Sequence, residues 1–221
     1  MFGLFNIYMR IPLAKKLKKR AHAEVAILQD EIVEIFYSLC ERHEPVFHGG
    51  TAIWRCYDGS RFSEDLDFYA EPGEDFEKKL RGELGNRGLN LLKYKKAPNV
   101  IFSKISDGTV EVRLELSLMK PPEKVLRKYE KADGTYIDVY ALSPERLMAE
   151  KMKAYEGRMF IRDIYDIYHL SGYVEKPVPG ISEFLSKIKP PVDEENLKVL
   201  VYSGVAPSFK AIVDALRRRF K

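Results

Sequence analysis

Asp65 and Asp67 are two aspartates separated by Leu66 and followed by Phe68. On a β-strand, side chains two residues apart point to the same face, so both carboxylates would lie side by side while Leu66 and Phe68 pack inward. Carboxylates held this close repel each other, and a divalent cation that prefers oxygen ligands, Mg²⁺ or Mn²⁺, removes that cost. A bare Asp-X-Asp pair is more often two solvated acids at a strand end, so the predicted metal site depends on the residues that accompany it.

A glycine pair, Gly49-Gly50, precedes these acids and lies where the apolar stretch 45–48 gives way to a short helical segment. At the N-terminus of a helix, free backbone N–H groups and the positive end of the helix dipole attract phosphate. Glycine has no side chain and lets a phosphate approach the backbone, although most glycine pairs are only turns. A phosphate-binding turn beside metal-binding acids predicts a site for a nucleoside triphosphate.

A third acid is predicted on the strand 110–118, where apolar and polar residues alternate so that one face is buried. Glu115 lies on the polar face and is the preferred candidate, and Glu111 on the same face is its competitor. Three carboxylates could hold two metal ions. Such ions would activate an attacking hydroxyl and clamp the triphosphate for in-line attack at its α-phosphorus.

Positive charge for the triphosphate is predicted on a helix in the second half of the chain. Lys151 and Arg158 are two helical turns apart and share a face, where lysine would act as a point charge and arginine as a fork. The alternative is a solvated face, since Lys153 belongs to the same helix. Arg61, which leads the aspartate strand, is preferred over Arg55 as a further phosphate ligand.

The elements that must position these residues follow a simple order. Helical periodicity over 14–42 is followed by mixed strands and helices, and from Ser143 onward the pattern is helical. This order predicts an α+β fold with a core at 1–140 that includes the N-terminal helix, and a helical lobe at 141–221 packed on the core. The predicted strands are 45–48, 61–69, 89–94, 100–105 and 110–118; the predicted later helices are 51–56, 74–87, 143–157, 163–170, 181–188 and 208–220.

Composition limits the class of protein. The chain has 221 residues, of which 45% are apolar and 32% charged, so a core is available and disorder is not expected. The net charge of +4 permits an anionic partner without requiring nucleic acid. Two cysteines without metal-ligand spacing favour a reduced, cytoplasmic location. No apolar stretch has the length of a membrane span, and the apolar residues 1–9 lack the pattern of a signal peptide.

Four motifs resemble the AbiEii/AbiGii toxin family of nucleotidyltransferases, which belongs to the DNA polymerase β-like superfamily. The segment 49–52 (Gly-Gly-Thr-Ala) followed by 61–68 (Arg-Phe-Ser-Glu-Asp-Leu-Asp-Phe) resembles the family's glycine turn and aspartate strand. The segment 114–117 (Leu-Glu-Leu-Ser) resembles its third-acid strand. Residues 149–158 and 162–168 resemble its helical Lys and Asp motifs, so the resemblance extends over about 45–170 and respects motif order.

The resemblance implies a nucleotidyltransferase-type mixed sheet and a metal-dependent transfer of NMP from an NTP to an acceptor hydroxyl. It also implies that Lys151 and Asp163 are functional, that Asp166 is secondary, and that Thr51 binds nucleotide with the glycine pair. From the residues alone, Asp166 could instead form a helical ion pair with Arg162. The family's role implies the toxin of a toxin–antitoxin or phage-defence pair, a separately encoded antitoxin, and RNA, with tRNA as a candidate acceptor.

Two alternatives stay open at this point. A nucleotidyltransferase of the same design could modify a small molecule or a protein hydroxyl, and the modest net charge is compatible with either. A non-catalytic nucleotide-binding module could also keep this fold. The joint presence of Asp65, Asp67, Glu115 and Lys151 argues against a decayed site, which should have lost at least one of them.

Overall fold

A computed structural model describes residues 11–40, 44–120 and 123–221. The prediction that the apolar residues 1–9 lack a signal-peptide pattern concerns residues that lie outside these ranges. None of the helices in the described ranges combines the length and apolar character that a membrane span requires.

Within the described ranges, seven strands form one mixed sheet in the order β3-β4-β5-β2-β1-β7-β6. The β2/β5 and β1/β7 pairs are parallel and the others are antiparallel. The α+β fold with a mixed sheet is therefore confirmed. The strands are β1 Val46–His48, β2 Leu66–Tyr69, β3 Asn90–Ala97, β4 Val100–Ser106, β5 Glu111–Ser117, β6 Lys124–Glu130 and β7 Tyr136–Leu142.

The described elements after β7 are all helical. The first of them begins where the sequence places an N-cap, because the Ser143 hydroxyl accepts a hydrogen bond from the backbone N–H of Arg146 and Pro144 occupies the first turn. The division into a core at 1–140 and a lobe at 141–221 stays a prediction. The helices are α1 Leu13–Lys16, α2 Arg20–Leu39, α3 Gly49–Cys56, α4 Phe76–Asn86, α5 Pro144–Arg158, α6 Ile161–Leu170, α7 Ile181–Lys187, α8 Leu197–Leu200 and α9 Phe209–Arg219.

The two faces of the sheet differ in character. On β5 the alternation predicted for 110–118 is observed, with Val112, Leu114 and Leu116 buried beneath α2. Phe68 of β2 lies on this apolar face and packs against Phe36 of α2, with their ring centroids 4.8 Å apart. The opposite face carries polar side chains, and Glu150 of α5 hydrogen-bonds to its β1–β2 part. The fold thus places the polar face of the central strands in the space that α5 borders.

Two local predictions are corrected, and one hairpin was not predicted. The helix predicted over 14–42 is broken at Leu17, where the backbone is extended, and both Leu13 and Leu17 are buried. The strand predicted over 61–69 is reduced to β2, so Asp65 lies in the loop before the strand rather than on it. The β6–β7 hairpin was not predicted, because its strands mix charged and apolar residues in β6 and β6 is an edge strand with only partial burial.

Candidate active site

His48, Asp67 and Glu115 form one row across three neighbouring strands. Asp67 of β2 pairs with His48 of β1 in antiparallel register and with Glu115 of β5 in parallel register. Because paired residues on adjacent strands lie on the same side of the sheet, the carboxylates of Asp67 and Glu115 are neighbours. Glu111, the competitor for the third-acid position, instead forms an ion pair with Lys104, with Nζ and Oε2 2.5 Å apart.

The two carboxylates are destabilised in their charged forms. Burial raises the pKa of Asp67, and the neighbouring Asp65 carboxylate raises it further. Burial likewise raises the pKa of Glu115, with repulsion from Asp67 as the second cause. Such mutual repulsion is the cost that a bound cation would remove.

Asp65 is bound by an arginine that the sequence did not single out. Arg113 donates two hydrogen bonds to its carboxylate, from Nε at 2.8 Å and from Nη2 at 2.7 Å. The loop that carries Asp65 is held by the buried Thr51, whose hydroxyl donates a hydrogen bond to the Asp65 carbonyl oxygen. The available signal for Arg113 was its place on the polar face of β5, two residues before Glu115.

A divalent cation was predicted to bind Asp65, Asp67 and Glu115. Within the described ranges, no group of three or more His, Cys, Asp or Glu side chains is close enough together to coordinate one ion. Asp67 and Glu115 supply adjacent oxygen donors whose raised pKa values a cation would reverse, so these two residues fit such an ion. Both oxygens of Asp65 accept hydrogen bonds from Arg113, which would compete with a cation for this carboxylate.

Gly49 and Gly50 open α3 in close contact with the site. Gly49 has a φ of +74°, and a Cβ added there would lie 2.1 Å from Asp67 Oδ2. At Gly50 an added Cβ would lie 2.6 Å from both Arg61 Nη2 and Ser63 Oγ. Gly49 requires glycine because of its positive φ and the collision with Asp67, whereas a side chain at Gly50 would require Arg61 and Ser63 to shift.

Gly49→Ala is expected to lower the free energy of unfolding by at least about 1–2 kcal/mol, since an L-residue pays this much in the left-handed region before the collision with Asp67 is counted. The control is Gly82→Ala in α4, where an added Cβ meets nothing within 4 Å. Alanine there should stabilise the helix by about 0.5–1 kcal/mol. Urea unfolding of the three proteins measures both effects, and equal stability of Gly49→Ala and the parent chain would contradict the assigned backbone conformation.

Two buried aspartates of α6 hold the cations of the site. Asp163 accepts hydrogen bonds from Arg158 Nε and Nη2, both at 2.7 Å, and lies 3.4 Å from Lys151 Nζ. Asp166 accepts from Lys151 Nζ at 2.8 Å and from Arg61 Nε and Nη2, both at 2.5 Å. Both carboxylates are almost completely buried. Asp163, predicted as catalytic, therefore points to the cations rather than to open space.

A polar cleft of about 420 Å³ lies between the sheet and α5. It contains eight of the ten residues proposed from the sequence; Thr51 and Asp163 do not line it. Several other residues that line the cleft were not singled out from the sequence. The lining residues are His48, Gly49, Gly50, Arg61, Ser63, Asp65, Asp67, Arg113, Glu115, Glu150, Lys151, Ala154, Arg158 and Arg162.

His48 is held at the end of the row by α5. Its Nδ1 lies 3.2 Å from Glu150 Oε2, its ring stacks on Tyr69, and the Tyr69 hydroxyl donates to Glu150 Oε1 at 2.7 Å. Burial opposes ionisation of Glu150, but the hydrogen bonds from His48 and Tyr69 outweigh it and lower the pKa of the carboxyl. Through these contacts His48 and Tyr69 connect α5 to β1 and β2.

The fold of the chain is shared with solved protein structures, one of which is a nucleotidyltransferase toxin. MenT4, a nucleotidyltransferase toxin from Mycobacterium tuberculosis H37Rv, aligns with a TM-score of 0.63 and 17% identity over 94% of this chain and 86% of that chain. JHP933 from Helicobacter pylori aligns with a TM-score of 0.55 and 19% identity over 89% of this chain and 90% of that chain. At these identities the likeness establishes the fold.

The family follows from the sequence match. Residues 39–185 match the family model described as nucleotidyl transferase AbiEii toxin of type IV toxin–antitoxin systems. The match spans well over half of the chain, and the protein belongs to the AbiEii nucleotidyltransferase toxin family. The resemblance stated from the motifs is confirmed. No curated protein sequence matches the chain.

Proposed function

We propose that this protein is a cytoplasmic toxin that transfers an NMP from an NTP to a hydroxyl of RNA, with tRNA as the candidate acceptor, and that a separately encoded antitoxin restrains it. The observation that carries the proposal is the adjacency of Asp67 and Glu115 beside the Gly49-Gly50 turn, across one cleft from Lys151 and Arg158. Acids for the reacting centre and positive charge for the phosphates thus share one cavity. The family membership agrees with this chemistry.

In the proposed reaction, an acceptor oxygen forms a bond to the α-phosphorus while the bond from that phosphorus to the β-bridging oxygen breaks. Pyrophosphate leaves with the electron pair. The backbone N–H groups at Gly49-Gly50 and the charges of Lys151 and Arg158 would hold the phosphates in line. The acceptor proton would pass to one of the carboxylates that line the cleft.

Asp67 and Glu115 would hold the Mg²⁺ or Mn²⁺ ion that the family implies, with Asp65 as a third ligand after Arg113 is released. When bound, the ion supplies Lewis-acid polarisation of the α-phosphate and acidification of the attacking hydroxyl. Arg113 lines the cleft and contributes to its positive charge. The remaining contribution of the chain is to keep the carboxylates paired and partly shielded from water.

The buried pairs on α6 support this proposal by orienting the cations. Lys151 is held between Asp163 and Asp166, so its ammonium cannot swing into solvent when no nucleotide is bound. Arg158 is fixed by its fork to Asp163. Preorganised charges of this kind stabilise the leaving pyrophosphate without reorganisation during the reaction. We therefore propose Asp163 as a positioning residue for Lys151 and Arg158.

The test is incubation of the protein with each α-³²P-labelled NTP, Mg²⁺ and total tRNA, followed by separation of RNA, protein and small molecules. Label on RNA supports the proposal. Label on protein or on a small molecule would replace the acceptor with one of the alternatives that the sequence left open. Nucleotide binding without transfer to any acceptor would identify a non-catalytic module and overturn the enzyme assignment.

A further inference from the structure

The polar face of the sheet continues beyond Glu115 onto two more strands. In register, Glu115 of β5 pairs with Phe102 of β4, which pairs with Lys95 of β3. Two residues before Glu115 on the same strand, Arg113 pairs with Lys104, which pairs with Lys93. We call the surface formed by Lys93, Lys95, Phe102 and Lys104 the lysine face.

The lysine face is open to solvent, whereas the other side of the same strands is packed. Phe102 is 41% exposed in the middle of β4, while its neighbours Ile101 and Ser103 are 1% and 4% exposed. Helix α4 packs against β3, and α2 against β5, in the core that lies on the opposite side. An exposed phenylalanine at the centre of a strand leaves apolar surface in contact with water, and burial against a partner would be favourable.

The charge of the lysine face is positive. Lys104 is paired with Glu111, whereas among the contacts of the described residues no ion pair involves Lys93 or Lys95. Lysines that flank an exposed aromatic ring match the backbone charge and the base planes of a single-stranded nucleic acid. A duplex offers no unstacked base to the ring, so the surface suits a single strand.

The lysine face also joins the reacting centre. Neighbouring strands lie about 4.8 Å apart, so Phe102 is one strand spacing from Glu115 and two, about 10 Å, from Asp67. A nucleotide stacked on Phe102 would therefore lie one strand spacing from Glu115. We infer that the lysine face binds the terminal nucleotides of a single-stranded RNA acceptor, with a base on Phe102 and the backbone on Lys93 and Lys95. This inference rests on the proposed transfer reaction and names its acceptor site.

Binding of a short fluorescein-labelled single-stranded RNA tests the inference by fluorescence anisotropy without nucleotide. Phe102→Ala should weaken binding about tenfold, within the range measured for one stacked base. The double variant Lys93→Ala/Lys95→Ala should lower the slope of log affinity against log salt by about 1.4, since each phosphate contact on a single strand contributes about 0.7. The same RNA annealed to its complement should bind more weakly to the parent protein and lose little in Phe102→Ala.

Two matched controls remove an exposed aromatic ring and a lysine elsewhere. Tyr168 on α6 is 38% exposed, and Lys210 on α9 is exposed; Tyr168→Ala and Lys210→Ala should leave the anisotropy unchanged. Unchanged binding by the lysine-face variants would overturn the inference. Equal loss of binding to a labelled polyglutamate peptide would also overturn it, because the surface would then be an anionic-protein site.

Transfer assays separate this inference from the proposed function. If the parent protein labels RNA, Phe102→Ala should raise the KM for RNA about tenfold and leave the KM for NTP unchanged. If RNA is labelled equally well by parent and variant, the reaction stands and the lysine face is not its acceptor site. If RNA binds at the lysine face and no acceptor is labelled, the proposed reaction fails while the binding site is retained.

Discussion

Asp67→Asn is expected to reduce nucleotidyl transfer by at least about a thousandfold. Asparagine keeps the shape of the side chain but removes the charge that would hold a cation beside Glu115, and several kcal/mol of transition-state stabilisation depend on such a site. Single-turnover transfer from an α-labelled NTP, normalised to active protein, measures the loss. Substantial transfer by Asp67→Asn would contradict the assignment of Asp67 to the reacting centre.

The control for this variant lies on one strand of the same sheet. Glu115→Gln should also lose transfer, whereas Glu111→Gln should retain it, because Glu111 faces the same side of β5 but is paired with Lys104 outside the cleft. Loss of transfer in both glutamine variants would indicate a general effect on β5 rather than a role of Glu115. The comparison keeps strand, residue type and chemical change constant.

Stability should move in the opposite direction from activity. Asp67 has a raised pKa in the folded protein, so its ionisation opposes folding, and protein without bound metal should lose stability as the pH rises from the ordinary aspartate pKa towards the raised one. Above that window Asp67→Asn should be at least as stable as the parent chain. Urea unfolding at neutral pH measures the stability of both proteins. A marked loss of stability in Asp67→Asn would mean that the Asp67 carboxylate stabilises the fold.

Asp166→Asn is expected to lower the free energy of unfolding by about 3–5 kcal/mol. Asp166 is 1% exposed and accepts from both Arg61 and Lys151, so the neutral amide would leave two cations without their shared counter-charge in a buried place. Denaturant unfolding monitored by circular dichroism gives the difference. A loss below about 1 kcal/mol would show that water reaches and compensates these cations.

The pH dependence of this variant gives a second readout. Burial opposes ionisation of Asp166, but Arg61 and Lys151 outweigh it and lower the pKa of the carboxyl. Its contribution is therefore present above the ordinary aspartate pKa and is lost as the pH falls through the lowered one, and Asp166→Asn should lack this acid-dependent part.

An exposed ion pair supplies the control. Asp138 lies 2.8 Å from Lys128 Nζ on the β6–β7 hairpin, and both side chains are more than half exposed. Asp138→Asn should change stability by less than about 1 kcal/mol.

The alternation of apolar and polar residues predicted the orientation of side chains on β5, because successive side chains of a strand point to opposite faces. The alternation predicted for β5 placed Glu115 on the polar face of its strand, as the structure shows. The phosphate approach at Gly49-Gly50 stays a prediction, and the structure shows that an added Cβ at Gly49 would collide with Asp67. The alternation along β5 involves only neighbours on one strand, where strand geometry leaves few choices.

Where partners lie far apart in sequence, prediction from pattern was incomplete. Arg113 was not singled out because its partner, Asp65, lies 48 residues away and meets it only through the parallel register of β2 and β5. Arg162 and Asp166 were considered as a pair along one helix, yet Asp166 binds Arg61, 105 residues away. The β6–β7 hairpin was not predicted because the burial of Tyr129 depends on Asp30 and Arg55, which belong to other elements.

The sequence alone thus determined that Glu115 lies on the polar face of its strand and, through its motifs, that the chain belongs to the nucleotidyltransferase toxin family. Only the tertiary structure decided how those faces combine: that Asp67 has Glu115 as its partner, that Asp163 and Asp166 hold the cations, and that Phe102 extends the row of acids towards open solvent. The physical reason is the separation in sequence between the residues that interact. Backbone geometry repeats over a few residues and can be read locally, whereas strand register and buried ion pairs are set by packing between segments that the chain brings together only when it folds.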